Sequence, residues 1–428
     1  MSEPLCRPLA IRVLSPRKGA LHARYHSGLS DDGSEASRRR RVAQLMVKAP
    51  INASLPIFIN TRSQTAGLSG VQRYAVELQR RIGSSLRAIA PRRPLQGVKG
   101  HLWEQTVLPT LVRDGILWSP ANSGPLAVRR QVLTVHDVAS LDHPEWFSPL
   151  FAAWYRWMTP RLVCRVQRVI TPSEFSKQRL LALTAIDESR VVVIPAAADG
   201  RFCPRSTQEV KRVKDSLSIR SPYYVLSLGT LEPRKNLGRL LAAWASCVRD
   251  LPDEIWLVIA GSGGTSRVFS CPEFDTPPPR VHFTGFVADC DLPALYSGAL
   301  ALACVSLYEG FGLPALEAMA CGTVPVASNN TALPEVVGKA GLLVNPFDSE
   351  AIAAGIKRII QDLALRQELK VQAIKRSGEF SWQRAAELTW AVISGEDLAS
   401  KSGTYAKGRN AKVVAARSVT AASHRSLS

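Results

Sequence analysis

The eight cysteines of the chain show no C-x-x-C spacing, which excludes the common structural zinc modules and a redox dithiol. Cys6, Cys164, Cys203, Cys247, Cys271, Cys290, Cys304 and Cys321 are scattered. Cys304 and Cys321 fall in apolar stretches and read as buried small hydrophobes, as expected in a reducing compartment without a disulfide framework. No apolar run is long enough to span a bilayer; the longest, near residues 295–308, is broken by Ser and Gly. The start MSEPLCRPLAIRVLSPRKGALHARY lacks the continuous apolar stretch of a secretory signal. Rich in Arg and poor in acid, it reads either as transit-peptide-like or as sequence ahead of a true start at Met46. Zinc-finger, RNP and dinucleotide fingerprints are missing too, which counts against nucleic acid as a partner.

Acidic residues are outnumbered, 35 against 54 basic, for a formal net charge of +19. Residues 1–50 carry a net +6 and residues 398–428 another +6, which leaves about +7 for the middle. Both ends include polar, aromatic-poor runs without periodicity and are expected to be disordered. A modest basic bias in the folded middle suits anionic ligands or an anionic membrane surface. A chain of 428 residues with 46% apolar composition fits two soluble domains of ordinary size.

Strands are expected at PIFIN (56–60), ILWSP (116–120), QVLTV (131–135), RVIT (168–171) and VVVIP (191–195). A second series follows: YYVLSLG (223–229), IWLVIAG (255–261), VHFTG (281–285), ALALACV (299–305) and TVPVAS (323–328). Helical patterns intervene, including VQRYAVELQRRI, SPLFAAWYRWMTPRLV, NLGRLLAAWASCVRD and LPALEAMACG. Apolar strands alternating with helices predict two doubly wound α/β domains with parallel sheets covered on both faces. The polar stretch 201–221 reads as the link between them. A last helix, FSWQRAAELTWAVI (380–393), could pack on either. In SPLFAAWYRWMTPRLV, Leu150, Trp154, Met158 and Leu162 predict a core-facing stripe. Arg156, Arg161, Arg165 and Arg168 would suit a helix lying at anionic headgroups.

In open parallel sheets, ligands bind beyond the carboxyl ends of the strands, and the unusual residues cluster there. His136 and Asp137 follow QVLTV, Gly229 closes YYVLSLG, Gly261 closes IWLVIAG, and Glu309 and Gly310 follow ALALACV. The run EGFGLPALEAMACG (309–322) predicts a helix with Pro314 in its first turn and Gly322 just past its end. Gly310 and Gly312 let the backbone ahead of that helix approach a ligand, and the helix N-terminus suits phosphate. Glu317, in or near the first turn, could accept hydrogen bonds from a ribose. Asp137 is expected to orient His136 or cap a turn. Ser173 is expected to cap the helix EFSKQRLL, and Ser69 could cap VQRYAVEL.

The spacing Glu309-x7-Glu317 within YEGFGLPALEAMACGTVPV resembles the signature of retaining glycosyltransferases of family 4, with the GT-B fold. The runs LSLGTLEPRKNLGRLLAAW, LVIAGSGG and SNNTALPEVVGKAGLLVNPFD agree, and the resemblance covers roughly residues 55–395. SGVQRY, WEQTVLP, LWSPANSGPL, LTVHDVASLDHPEWFS and VITPSEFS are similar to bacterial mannosyltransferases that build exopolysaccharides and O-antigens. The resemblance implies that Arg234 and Lys235 neutralise the donor diphosphate, that Glu317 binds ribose and that Glu309 faces the transferred hexose. It implies that the backbone of Phe311, Gly312 and Leu313 approaches sugar and phosphate. His136 would contact the donor sugar, and Ser69 and Gly70 would lie beside the diphosphate and acceptor. One departure stands out: many members carry Arg where this chain has Thr230, and Arg234 would supply that charge.

The expectation is thus a GT-B hexosyltransferase: two Rossmann-like domains facing a central cleft, with disordered tails at both ends. It divides into a basic segment (1–50), an acceptor domain (51–213), a nucleotide-sugar donor domain (214–379), a closing helix (380–396) and a basic tail (397–428). The donor favoured is GDP-mannose, the acceptor a lipid-linked saccharide or polysaccharide, and the outcome retention. The nucleotide-sugar is a substrate, so no cofactor is expected. No metal is expected either, since no D-x-D pair lies where a metal-dependent transferase would want one. The expected location is cytoplasmic, with peripheral contact at the inner face of the membrane. Alternatives are a UDP-sugar-dependent transferase, a phosphorylase or epimerase of the same fold, and a non-catalytic polyanion binder.

Overall fold

The computed structural model describes residues 55–65, 70–95, 97–261 and 277–396. The expected disordered ends (1–50 and 397–428), Met46 and Ser69 lie outside them.

The first lobe runs β1 (Ile57–Asn60), α1 (Gly70–Ile82), β2 (Leu86–Ile89), α2 (Gly97–Thr106), α3 (Leu108–Val112), β3 (Ile116–Ser119), β4 (Gln131–Thr134), α4 (Ala139–Asp142), α5 (Pro149–Arg165), β5 (Arg168–Thr171), α6 (Glu174–Leu183) and β6 (Val191–Val193). The second runs α7 (Thr207–Ser216), β7 (Tyr223–Leu228), α8 (Leu237–Cys247), β8 (Ile255–Ala260), β9 (Val281–Gly285), α9 (Leu292–Ser297), β10 (Ala301–Cys304), α10 (Leu313–Ala320), β11 (Val324–Ser328), α11 (Leu333–Val337), β12 (Leu342–Val344), α12 (Ser349–Gln361) and α13 (Leu363–Ser377). A final helix, α14 (Trp382–Ser394), follows.

Each lobe holds a six-stranded parallel sheet, ordered β2-β1-β3-β4-β5-β6 and β12-β11-β10-β7-β8-β9. The ten expected strands are all present. Central strands such as β3, β4, β10 and β11 are buried at every residue, which is why their sequences read as predominantly apolar runs. The two unforeseen strands, β2 and β12, are sheet edges. Arg87 and Ala88 of β2 (LRAI) are exposed, and β12 (LLV) is apolar but only three residues long, so neither makes a full-length apolar run.

Strand order reverses between β1 and β3 in the first sheet and between β7 and β10 in the second. A crevice opens at such a point beyond the strand ends.

Residues 201–221, read as a link, contain α7, whose start is fixed by a capping box between Ser206 and Glu209. Phe202, Val213 and Ile219 from this stretch are buried in the core of the second sheet. Helix α14 returns to the first lobe. Its Trp382, Ala385, Ala386, Val392 and Ile393 pack with Ile59, Tyr74, Leu78 and Trp118, and the same cluster takes in Phe311 and Leu316 of the second lobe. The stripe expected on α5 is only half buried: Met158 and Leu162 are fully enclosed, but Leu150 is 71% exposed at the helix start. The described cysteines are all free, and Cys304 and Cys321 are buried as expected.

Because Trp382 (3% exposed) sits where α14 meets both lobes, replacing Trp382 by Ala should cost about 3–5 kcal/mol, the range for emptying a buried aromatic site. Urea unfolding of wild type and variant would measure it. A loss below about 1 kcal/mol would mean that α14 is not a structural clasp.

Candidate active site

The two crevices face each other across one cavity of about 410 Å³, and every candidate residue except the undescribed Ser69 lines it. Gly70 and His136 come from the first lobe. From the second lobe come Gly229, Arg234, Lys235, Gly261, Glu309, Phe311, Gly312, Leu313 and Glu317.

Close backbone approach explains two glycines. Gly312, the N-cap of α10, has φ +105°, a conformation that side-chain-bearing residues resist. At Gly310 a Cβ would lie 2.2 Å from the His136 carbonyl oxygen, so only glycine lets the loop of one lobe touch the other. Pro314 stands in the first turn of α10, and Gly322 follows its C-cap with φ +77°. Glu317 is the fifth residue of the helix, just past its first turn.

The loops after β7 and β10 form a buried charge cluster. Lys235 Nζ donates to Glu309 Oε1 at 2.6 Å, Arg234 Nη1 donates to Oε2 at 3.1 Å, and the Ser306 hydroxyl donates to Oε1 at 2.8 Å. Burial would raise the Glu309 carboxyl, but the two cations and the hydrogen bonds outweigh it and bring its pKa down to about 2. Behind Arg234, its Nε lies 2.6 Å from the Glu232 carboxylate. Glu232 is 1% exposed, and burial pushes its pKa up against the pull of Arg234 and Lys235. Burial works against the Arg234 charge, yet Glu309, Glu232 and Asp137 hold its pKa above the ordinary value. Asn236 fixes this loop: it adopts the left-handed conformation (φ +60°), and its side-chain amide donates to the carbonyls of Val305 and Pro346 at 3.0 and 2.7 Å.

A second cluster surrounds Glu317. Arg73 of α1 crosses the cleft to pair with Glu317 through Nη1 and with Asp289 Oδ1 through Nη2, the latter at 2.8 Å. The Tyr296 hydroxyl donates to Glu317 Oε2 at 3.1 Å. Burial raises the Glu317 carboxyl to about 7, although Arg73 and the Tyr296 hydrogen bond oppose it. Asp291, two residues after Asp289, is held by Arg212 at 2.8 Å.

His136 is fixed from both sides. Its backbone N–H donates to Asn122 Oδ1 at 2.6 Å, and its ring Nε2 lies 2.8 Å from the Pro120 carbonyl. A carbonyl only accepts, so the proton of the neutral ring sits on Nε2. Burial lowers the ring pKa, opposed by the Pro120 bond and Asp137, and favours that neutral form. Tyr74 packs edge-on against the ring at 4.7 Å between centroids. Asp137 caps a turn through the Ala139 N–H, and Ser173 caps α6, as expected. The Ser173 hydroxyl also donates to the Gly310 carbonyl at 2.6 Å, closing the lobes beside the cavity.

Sequence reasoning missed Arg73, Glu232, Asn236, Asp289 and Tyr296. Asn236 was legible in principle, next to the basic pair. Arg73 was not, because an Arg on an amphipathic helix ordinarily faces water. Among the described residues, no three His, Cys, Asp or Glu side chains gather in a metal-holding group.

Residues 210–376 match the family described as Glycosyl transferases group 1, and residues 110–200 match Glycosyltransferase Family 4. The O-antigen chain mannosyltransferase B of Escherichia coli is 32% identical over 279 residues, covering 65% of this chain and 73% of that one. The serotype-specific mannosyltransferase WbdA of the same organism is 32% identical over 277 residues, 63% of this chain but 33% of the longer relative. In fold, the chain is similar to Anabaena HepE crystallised with UDP-glucose, with a TM-score of 0.64 and 19% identity over 79% of this chain and 99% of that one. The parallel sheets, their facing crevices and these matches together place the chain among the glycosyltransferases of GT-B fold, as a hexosyltransferase with a group 1 glycosyl transferase domain and a family 4 domain.

Proposed function

We propose that the enzyme transfers mannose from GDP-mannose to a lipid-linked saccharide or growing polysaccharide, with retention of anomeric configuration. One observation carries this reading: Arg234, Lys235, Glu309 and Glu317 line a single cavity between the lobes. A donor with a diphosphate, a ribose and a hexose offers each of them a partner. The cations match the diphosphate, Glu317 matches the ribose hydroxyls, and Glu309 matches hydroxyls of the hexose. The mannosyltransferase relatives favour mannose. A UDP-sugar is the second reading, favoured by the UDP-glucose held by the HepE structure.

In the reaction, the bond between the anomeric carbon and the diphosphate oxygen breaks while the acceptor hydroxyl oxygen attacks from the same face. The acceptor proton passes to the leaving diphosphate. Charge gathers on that diphosphate, and donors fixed in advance stabilise it without reorganisation. Lys235 and Arg234 are fixed in this way by the Asn236 loop. On arrival of the diphosphate they exchange Glu309 for phosphate oxygens, which frees Glu309 for the sugar. His136, neutral and held by Pro120, lines the sugar side.

A surface on the first lobe supports the membrane side of this reading. Val98 and Leu102 on α2, Val107 and Leu111 at α3, and Leu150 and Trp157 on α5 are 40–71% exposed. Lys99, Arg156, Arg161 and Arg165 are exposed on the same helices, whose carboxylate, Glu104, is buried. Helices α2 and α5 meet through His101, whose ring lies 5.2 Å from Trp154 and 5.9 Å from Tyr155. Apolar side chains beside unbalanced cations suit an anionic lipid surface at the cytoplasmic face. Among the described residues, no helix is long and apolar enough to cross a membrane.

Three outcomes are expected. GDP-mannose should raise the melting temperature selectively in a panel of GDP-, UDP- and ADP-sugars, by mass action on the folded state; a rise confined to UDP-sugars would transfer the proposal to the second reading. Lys235→Ala should lower turnover by roughly two to three orders of magnitude, about 3–4 kcal/mol for one electrostatic donor, and unchanged turnover refutes its role. Vesicles rich in anionic lipid should co-sediment the protein in low salt and release it in high salt, with Leu102→Asp and Trp157→Asp weakening capture. Absence of any binding would remove the membrane contact from the proposal.

A further inference from the structure

We propose that Arg73 is a positioning residue for the donor: it reaches across the cleft from the first lobe and completes the nucleoside subsite of the second by pinning the Glu317 carboxylate. This rests on the reading of Glu317 as the ribose partner.

The geometry separates Arg73 from the other contacts that close the lobes. Ser173 and Ser176 donate to the Gly310 carbonyl at 2.6 and 3.0 Å, the Glu174 and Phe175 amides donate to Glu335 at 2.9 and 2.7 Å, and the Tyr308 hydroxyl donates to Asp142 at 3.0 Å. Arg73 instead ends on two carboxylates that line the cavity itself, with its side chain only 11% exposed. Its guanidinium lies over the Phe202 ring at 5.5 Å, and Arg201 lies over the same ring at 5.4 Å, so its path across the cleft is fixed by packing.

Each carboxylate oxygen accepts in about two directions. On Glu317, Arg73 takes one direction at Oε1 and Tyr296 takes one at Oε2. One direction on each oxygen is left, the pattern that a pair of neighbouring ribose hydroxyls would use.

The charges around Glu317 explain why the cation must come from the other lobe. Arg73 faces it from α1, Tyr296 from α9, and Asp289 from the segment after β9; Asp289 also has Arg201 at 3.5 Å. Without Arg73 the buried Glu317 and the partly exposed Asp289 carboxylates would share this wall, with Arg201 in contact with Asp289 alone. The Glu317 pKa, near 7 even with Arg73 in place, would then climb, and a protonated carboxyl offers the ribose a weaker acceptor. Donor recognition by the second lobe is thereby tied to closure of the first.

The sign follows. Donor binding needs the ionised carboxylate, so affinity should rise as pH increases through about 7 in the wild type. In Arg73→Gln the rise should move to higher pH. The test measures binding of GDP-mannose and of UDP-glucose by calorimetry from pH 6 to 9, since their diphosphates carry no group that titrates there. Wild type, Arg73→Gln, Arg73→Lys and Glu317→Gln are compared. A shift of one pH unit in Arg73→Gln should weaken donor binding by about fivefold at pH 7 and leave it close to wild type at pH 9, with turnover at saturating donor changed less than KM. Arg73→Lys, which keeps the charge, should restore most of the affinity. Glu317→Gln should bind weakly with a flat pH profile. Wild-type affinity and profile in Arg73→Gln, with Glu317→Gln still weak, would overturn the role of Arg73 and leave it a lobe latch. Wild-type affinity in Glu317→Gln would overturn the ribose reading as well. Should Arg73→Gln fail to fold, the Arg73→Lys profile decides: a curve superimposed on Glu317→Gln is incompatible with a role that charge alone fulfils.

Discussion

The site depends on keeping carboxylates charged where water is scarce. Glu309 is 6% exposed and Glu317 is 3% exposed, and ionised groups so deeply enclosed are costly unless cations and donors meet them. The protein solves the two cases differently. Glu309 meets Lys235, Arg234 and Ser306, all from its own lobe, and is ionised throughout the neutral range. Among the described residues, Glu317 has one cation in contact, Arg73, and that cation belongs to the other lobe. One carboxylate is therefore settled when the second lobe folds, and the other only when the lobes meet.

Lobe contact is itself a backbone matter. The loop carrying Glu309 comes against His136 without a side chain between them, because Gly310 has none. The Gly310 carbonyl then receives two serine hydroxyls from α6, so the polar group brought into the interface is satisfied. Glu335 is treated in a similar way at the α6 N-terminus, where free amides and the helix dipole favour a carboxylate. Local helix chemistry thus becomes the means by which the two sheets hold one cavity.

Much of this was legible in the sequence, for stated physical reasons. Central parallel strands are buried on both faces and announce themselves as apolar runs, and α10 carries Pro314 and Gly322 at the ends where backbone geometry asks for them. Glu309 and Glu317 could be chosen because they flank that helix start. Edge strand β2 was silent because the exposed Arg87 breaks its apolar pattern, and β12 because its apolar run is only three residues long. The partner of α14 was undecided because an apolar stripe states that burial occurs without stating against what. Arg73 shares its helix with Arg80 and Arg81, and nothing in VQRYAVELQRRI distinguishes the arginine in the cavity from Arg80, 65% exposed. Only the crossing of two lobes makes that distinction.

The charge of the whole chain is a poor guide to the charge of the cleft. The net +19 is carried largely by ends outside the described residues, whereas Arg73, Arg234 and Lys235 line the cavity beside Asp137, Asp289, Glu309 and Glu317. Among the described residues the cavity wall holds four carboxylates and three cations, and on that balance simple attraction would not draw a diphosphate into it. On the proposed reading, binding has to proceed by exchange: Lys235 and Arg234 pass from Glu309 to phosphate while hydroxyls of the donor take over the carboxylates. A bare diphosphate offers the cations their new partners but leaves Glu309 with none. A complete nucleotide-sugar supplies both halves of the exchange, and the cleft can discriminate between them by the cost of an abandoned buried charge rather than by any additional contact.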